Sequence, residues 1–146
     1  VGEDVDRDVG QSGQTLPHRV GGAGQVGLLQ LGAAQLVEGG VDLLMVETQF
    51  DLLGIKAAMA GCRRAMADVG REVPIQTQVT IEVTGRMLPG TEIGAALSAL
   101  DPLHPDVIGI NCATGPAEMW EHLRYLCDHA RMPVSCLPNA GLPSVV

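Results

Sequence analysis

The pattern of apolar and polar positions predicts alternating helices and strands. Between Val26 and Val37 apolar residues recur at roughly helical spacing, and Gly39-Gly40 ends the pattern. Four short segments follow with the length and composition of strands, at residues 41–47, 74–80, 106–111 and 133–137. The first is an apolar run that ends in a polar residue, whereas residues 74–80 alternate apolar with polar positions and are rich in β-branched residues. The longer stretches between these segments predict helices at residues 50–69, 91–100 and 116–130.

Four strands, each preceded by a helix, define an α/β protein. The crossovers are long enough only for parallel pairing, which favours right-handed βαβ units. Periodicity does not separate an open, doubly wound sheet from a closed barrel. In both architectures the functional site lies at the carboxyl ends of the strands. The positions to examine are therefore Glu47, Thr80, Asn111, Cys112 and Asn139.

The first 32 residues differ in composition from the rest of the chain. They hold eight of the 19 glycines and no aromatic residue. We expect residues 1–32 to form a poorly ordered leader and residues 33–146 to form one folded domain. A chain of 146 residues has the size of a single domain with one hydrophobic core.

Composition argues against several classes of partner. Nine basic residues against 17 acidic ones give a net charge of -8, which repels nucleic acid and anionic lipid alike. No apolar run approaches the roughly 18 residues of a membrane-spanning helix, and no export signal begins the sequence. We therefore expect a cytoplasmic protein that binds neither nucleic acid nor membrane. Its four cysteines form no C-x-x-C pair and are expected to be free thiols or metal ligands.

Cys112 is the cysteine with the strongest case for chemistry. It follows the strand at 106–111 directly, and Gly115-Pro116 then opens a helix whose N-terminus favours a nearby anion. A small apolar residue that fills a tight turn would give the same pattern, so both interpretations stay open. The other three cysteines fall on helix stripes or inside a strand, where core packing is favoured: Cys62, Cys127 and Cys136.

Glu47 is a second candidate, because a carboxylate that ends an apolar strand either serves a site or is buried at high cost. The alternative is that it caps the following helix, where Thr48 and Asp51 also lie.

A glycine-rich segment offers a different function. Gly22-Ala-Gly-Gln-Val-Gly27 fits G-x-G-x-x-G, and Glu47 follows its last glycine by 20 residues, as in a dinucleotide-binding Rossmann-type domain. The segment before it, residues 14–20, is a poor strand because it has few apolar residues and a central proline. The motif therefore stands as an alternative without its expected strand.

Three segments carry a family resemblance. They are Val-Asp-Leu-Leu-Met-Val-Glu-Thr-Gln-Phe-Asp at 41–51, Gly-Ile-Asn-Cys-Ala-Thr-Gly-Pro at 109–116 and Pro-Asn-Ala-Gly-Leu-Pro at 138–143. Together they resemble the homocysteine-binding module (homocysteine S-methyltransferase) of the cobalamin-dependent methionine synthases, over about residues 36–143. The resemblance implies a (β/α)8 TIM barrel. About four of its βα units are expected in residues 33–146, ending before the last strand.

The resemblance also implies a site. Cys112 matches the first of three cysteines that hold zinc in this family, and the other two stand side by side in a Gly-Gly-Cys-Cys segment after a later strand. The 146 residues contain no such pair. By the same resemblance, Glu47 contacts the amino group of homocysteine and Asn111 lines the same pocket.

The function implied is that of a zinc-dependent homocysteine S-methyltransferase, which makes methionine with methylcobalamin, held on another module, as methyl donor. Modules that bind cobalamin and folate are absent from this sequence. We therefore expect the chain alone to be inactive and to bind zinc weakly. Two further alternatives remain at this point: a cobalamin-independent enzyme that takes its methyl group from betaine or S-methylmethionine, and an inactive remnant.

Overall fold

The computed structural model describes residues 22–140, in which helices and strands alternate as predicted. The helices are α1 Gly22–Glu38, α2 Leu52–Val69, α3 Ile93–Leu100 and α4 Pro116–His129, with a short 3-10 helix at Asp101–Leu103. The strands are β1 Leu44–Gln49, β2 Ile75–Val79, β3 Val107–Asn111 and β4 Val134–Leu137. None of the helices in the described range is long and apolar enough to cross a membrane.

The four strands form one parallel sheet in the order β1-β2-β3-β4. Leu44 faces Ile75 across the first pair of strands, and Gly109 faces Gln78 on one side and Ser135 on the other. A helix lies within each connection, as parallel pairing requires. The strands thus lie side by side in the order in which they follow one another along the chain, as they do in a (β/α)8 barrel. The predicted class, a parallel α/β segment of a TIM-type barrel with about four βα units, is confirmed.

This strand order contradicts the dinucleotide-binding alternative. In that fold the glycine-rich turn follows the first strand, and the fourth strand returns to lie beside the first. If that first strand preceded Gly22, β1, β2 and β3 would be the second, third and fourth strands. The fourth strand would then lie beside the first, yet β3 pairs with β2. Gly22 and Gly27 lie within α1, and the strand that should precede them falls outside the described residues. The alternative is therefore wrong.

Alternation along the strands gives the sheet two different faces. The outer face is apolar and packs beneath the helices through buried side chains: Leu44, Val46, Ile75, Val79, Ile108 and Ile110. The inner face carries Gln76, Gln78 and Ser135. At the carboxyl ends of the strands, Thr80 follows β2 and Asn111 is the last residue of β3. The hydrophobic core thus lies on one side of the sheet and the polar candidate site on the other.

Helix α1 corrects the prediction of a poorly ordered leader over residues 22–32, because the helix begins at Gly22. It packs so closely on α2 that a Cβ at Gly61 would stand 2.9 Å from the Cβ of Leu29. Farther along α1, Ala33 and Val37 are buried. Contact with α2 rather than a strong amphipathic pattern therefore orders this segment. Residues 1–21 of the predicted leader lie outside the described range.

The helix ends follow local sequence signals in two cases and depart from them in one. Asp51 caps α2, since its Oδ1 accepts a hydrogen bond of 2.7 Å from the N–H of Gly54. Gly70 ends α2 with φ 74, a left-handed conformation that glycine adopts without strain. The sequence pattern begins the third helix at residue 91, but α3 begins at Ile93, and its capping residue Glu92 makes no side-chain hydrogen bond to the helix.

Cys62 is expected to make stability fall at alkaline pH. It lies on the buried side of α2, and burial raises the pKa of its thiol above the ordinary value of 9.0. Above that pH the unfolded chain has lost a proton that the folded chain still holds. The contribution to stability is therefore intact below pH about 9 and is lost progressively above it.

The measurement is the thermal unfolding midpoint between about pH 8 and about pH 10. Cys62→Ala should lower the midpoint at every pH but flatten its decline with pH. Cys127→Ala, at an exposed position on α4, keeps Cys62 and should keep most of the original decline, since it removes only the smaller of the two causes that raise the pKa of Cys136. Identical slopes for Cys62→Ala and the unsubstituted chain would contradict the prediction.

Candidate functional site

The carboxyl ends of three strands meet at one buried side chain, Asn111. It is the last residue of β3 and only 3% exposed. Its Oδ1 accepts a hydrogen bond of 3.0 Å from the backbone N–H of Thr48, and its Nδ2 lies 2.9 Å from Thr48 Oγ1. The hydroxyl of Thr80, just after β2, lies 3.4 Å from the same Oδ1. Asn111 therefore ties the ends of β1, β2 and β3 together.

Thr48 reaches Asn111 because β1 is irregular at its end. The pairing of β1 with β2 shifts register between Val46 and Gln49, and Thr48 has φ 55. A left-handed conformation is unusual for a β-branched residue and costs on the order of 1–3 kcal/mol. Four non-glycine residues in the described range have positive φ, and three of them lie here: Thr48, Cys112 and Ala113. Such clustering is typical of functional sites.

Cys112 follows Asn111 and is half-buried among polar atoms. Its Sγ lies 3.3 Å from Asn111 Nδ2 and 3.5 Å from Thr48 Oγ1. Its backbone N–H donates a hydrogen bond of 3.2 Å to the carbonyl oxygen of Leu137, the last residue of β4. These contacts are not those of an apolar residue that merely fills a turn. The assignment of Cys112 as a zinc ligand stays a prediction.

Glu47 belongs to the same end of the sheet. It is exposed, on the face of β1 opposite the buried Val46, and it immediately precedes Thr48, whose hydroxyl contacts Cys112. The alternative in which Glu47 caps α2 is wrong, because Asp51 fills that position. Within residues 22–140 no salt bridge engages this carboxylate, so it is available to a cationic group at the strand end.

A polar floor, formed by Gln76, Gln78 and Ser135, lies below the strand ends. Ser135 Oγ accepts hydrogen bonds from the Nε2 atoms of Gln76 at 3.1 Å and Gln78 at 2.8 Å. Gly109 stands between Gln78 and Ser135, where a Cβ would overlap the Ser135 carbonyl oxygen and Gln78 Oε1. Gln78 is fully buried, and its Oε1 has no hydrogen-bond partner within the described range. The floor is packed tightly enough to require glycine at 109.

The remaining cysteines lie elsewhere in the fold. Cys62 is buried in α2, Cys127 is exposed on α4, and Cys136 in β4 has its Sγ 3.9 Å from Met119 Sδ. Burial raises the pKa of Cys136, and nearby Cys127 adds to the effect. Over residues 22–140, no group of three or more His, Cys, Asp or Glu side chains is placed to hold a metal ion. The described residues thus supply Cys112 as a single candidate ligand.

The sequence pattern indicates Thr48 only as a residue of the turn between β1 and α2. Its contacts with Asn111 and Cys112 were not predicted, although its polar side chain directly follows Glu47. The strand-end rule selected Thr80 and Asn111, which do meet there. It also selected Asn139, whose backbone N–H donates a hydrogen bond of 3.2 Å to the carbonyl oxygen of Thr114. The contribution of Thr48 depends on its left-handed backbone, which its residue type does not indicate.

The fold and this site agree with what the comparison with protein families finds. The sequence model of the family described as Homocysteine S-methyltransferase matches residues 25–145, which include all four strands. The chain therefore belongs to the homocysteine S-methyltransferase family, and the predicted membership is confirmed. The match begins at residue 25, inside the segment that the sequence pattern assigned to a leader.

Two curated relatives are methionine synthases, from Mycobacterium leprae (strain TN) and from Mycobacterium tuberculosis (strain ATCC 25618 / H37Rv). Each is 60% identical to this chain over 111 residues, or 76% of the chain. The same alignment covers 9% of each relative. The chain thus has a methyltransferase lineage and matches a small part of these relatives.

Proposed function

We propose that the chain forms the part of a methionine synthase that binds homocysteine and supplies one sulfur ligand to zinc. The observation that carries this proposal is the position of Cys112 Sγ at the carboxyl end of the sheet, in contact with the residue that follows Glu47. Membership of the homocysteine S-methyltransferase family and the 60% identical methionine synthases support the choice of substrate and product.

Cys112 fits zinc as one member of an incomplete set of ligands. Catalytic zinc sites use three protein ligands and keep a fourth position open, and thiolate sulfur is a preferred donor. Two further thiolates are proposed to come from outside residues 22–140, where no metal-binding group of three is found. When bound, zinc supplies a Lewis acid that favours the deprotonated thiol of homocysteine near neutral pH. The chain alone is accordingly proposed to bind zinc weakly and to be inactive.

Glu47 is the proposed contact for the ammonium group of homocysteine. Its carboxylate is exposed at the same end of the sheet as the sulfur of Cys112, and a charge-assisted hydrogen bond to an ammonium group is short and directional. Anchoring the amino end of homocysteine there would leave its thiol free to turn towards Cys112. Asn111 forms the buried base of the same pocket.

The methyl donor is proposed to be methylcobalamin, held on another module that receives its methyl group from a folate. The segments at 112–116 and 138–143, which resemble the cobalamin-dependent enzymes, support this choice over a cobalamin-independent donor. In this proposal the residues of the chain bind and orient homocysteine, while the donor approaches from outside.

The test uses a spliced enzyme, defined as the Mycobacterium tuberculosis methionine synthase in which this chain's aligned stretch of 111 residues replaces the enzyme's own. Glu47→Gln removes the charge that faces the ammonium group but keeps the size of the side chain. We expect KM for homocysteine to rise about 10- to 100-fold, the loss expected for one hydrogen bond between charged groups. Steady-state kinetics and zinc content are measured together, and zinc content should not change.

Glu38→Gln, at the exposed end of α1, is the matched control and should leave KM unchanged. An unchanged KM in Glu47→Gln would overturn the assignment of Glu47 alone. A spliced enzyme that folds but holds no zinc and makes no methionine would overturn the proposed function.

A further inference from the structure

The hydrogen bonds made by Asn111 beside Cys112 have directions that the structure determines. The backbone N–H of Thr48 can only donate, so the atom of Asn111 that lies 3.0 Å from it must be the amide oxygen. The other end of the amide is therefore the NH2 group. Its two hydrogens have two partners, Thr48 Oγ1 at 2.9 Å and Cys112 Sγ at 3.3 Å.

The bond between Thr48 and Cys112 completes the set. Thr48 Oγ1 accepts a hydrogen from Asn111, which leaves its own hydrogen available to donate. The sulfur of Cys112 lies 3.5 Å from this oxygen, and either atom can be the donor. Cys112 Sγ accepts one hydrogen bond from the amide, and when it carries no hydrogen of its own it can accept a second from the hydroxyl.

This arrangement suits a sulfur that carries no hydrogen. A metal-bound thiolate can only accept hydrogen bonds, and donors around such a ligand orient it and stabilise its charge. Asn111 is 3% exposed and Thr80, which donates to its oxygen, is 1% exposed, so the amide that donates to the sulfur is held in a buried position. The positive φ values of Thr48 and Cys112 allow their side chains to meet.

We propose that Thr48 and Asn111 are positioning residues that hold the Cys112 sulfur as a hydrogen-bond acceptor, oriented for a metal ion; this rests on the proposed function. Asn111 then acts through Cys112, since both of its amide hydrogens are already engaged within the chain. The predicted contact between Asn111 and homocysteine would use only its oxygen, which already has two donors.

The test compares Thr48→Val with Thr48→Ser in the spliced enzyme. Valine keeps the β-branched shape and loses the hydroxyl, whereas serine keeps the hydroxyl. The readout is the rate at which bound zinc passes to an excess of chelator, followed by a colorimetric zinc indicator. We expect Thr48→Val to release zinc at least about tenfold faster, as loss of a hydrogen bond to a metal ligand does, and Thr48→Ser to stay within about twofold of the parent.

Equal release rates for Thr48→Val and the parent would overturn the proposal, as would equal acceleration in Thr48→Ser and Thr48→Val. If Thr48→Val does not fold, Thr48→Ala replaces it, and its comparison with Thr48→Ser tests the same hydroxyl. Cys112→Ser is measured in parallel. If Cys112→Ser loses zinc and Thr48→Val has no effect, the positioning role alone is overturned. If Cys112→Ser retains its zinc in full, the proposed function is overturned as well.

Discussion

Cys112→Ser is expected to abolish zinc retention in the spliced enzyme. Serine preserves the small polar side chain at the end of β3 but replaces a soft thiolate by a neutral hydroxyl, a poor ligand for zinc. Zinc content should fall from about one ion per chain to less than about a tenth of that, and methionine formation should fall at least about a thousandfold. Elemental analysis after gel filtration and an activity assay measure the two effects.

The matched control is Cys127→Ser, the same substitution on the exposed face of α4. It should leave zinc content and activity unchanged. Thermal unfolding of the chain carrying Cys112→Ser should remain cooperative, which separates loss of a ligand from loss of the fold. Stoichiometric zinc in Cys112→Ser would show that this sulfur is not a ligand.

Gly109→Ala is expected to destabilise the chain by at least about 3 kcal/mol, the upper range for overpacking a core. Gly109 lies on the central strand β3, where a Cβ would overlap the Ser135 carbonyl oxygen and Gln78 Oε1 and lie 2.9 Å from the Ser135 carbonyl carbon. The backbone of β4 cannot retreat without breaking its pairing with β3. Since a domain is stable by only about 5–15 kcal/mol, a large fraction of its stability would be lost.

Gly32→Ala provides the matched control because the substitution is identical and its surroundings are empty. A Cβ at Gly32 would meet nothing within 4 Å, and the residue lies inside α1. Alanine is favoured over glycine in a helix by about 1 kcal/mol, so this variant should gain stability. Urea unfolding of both variants measures the difference. Equal stability of Gly109→Ala and the unsubstituted chain would contradict the packing described for the polar floor.

Much of the fold could be predicted because its strands and helices differ in the period of their apolar residues. The prediction was least accurate where tertiary contacts decide the outcome. β1 begins at Leu44 rather than at residue 41, since ladder pairing with β2 starts opposite Ile75. The start of α1 was missed because its glycines and exposed leucines give a weak pattern, and packing against Gly61 of α2 compensates for it.

The sequence predicts which strand-end residues belong to the candidate site, but it does not predict how their side chains contact one another. Glu47, Asn111 and Cys112 follow from the rule that the loops after parallel strands form the site. Thr48 does not, because a β-branched residue seldom adopts φ 55 and nothing in the sequence signals the register shift that precedes it. The direction of each hydrogen bond likewise required the positions of the atoms.

The link between Thr48 and Asn111 has a consequence for the shape of the sheet. β1 and β3 are not neighbours, since β2 lies between them, and flat strands two places apart are about 9.6 Å from each other. A single amide side chain spans this gap, with bonds of 3.0 Å and 2.9 Å to Thr48. The three strand tips are thus drawn together on one side, so the curvature that a closed ring needs is already built into this short stretch by its own polar contacts.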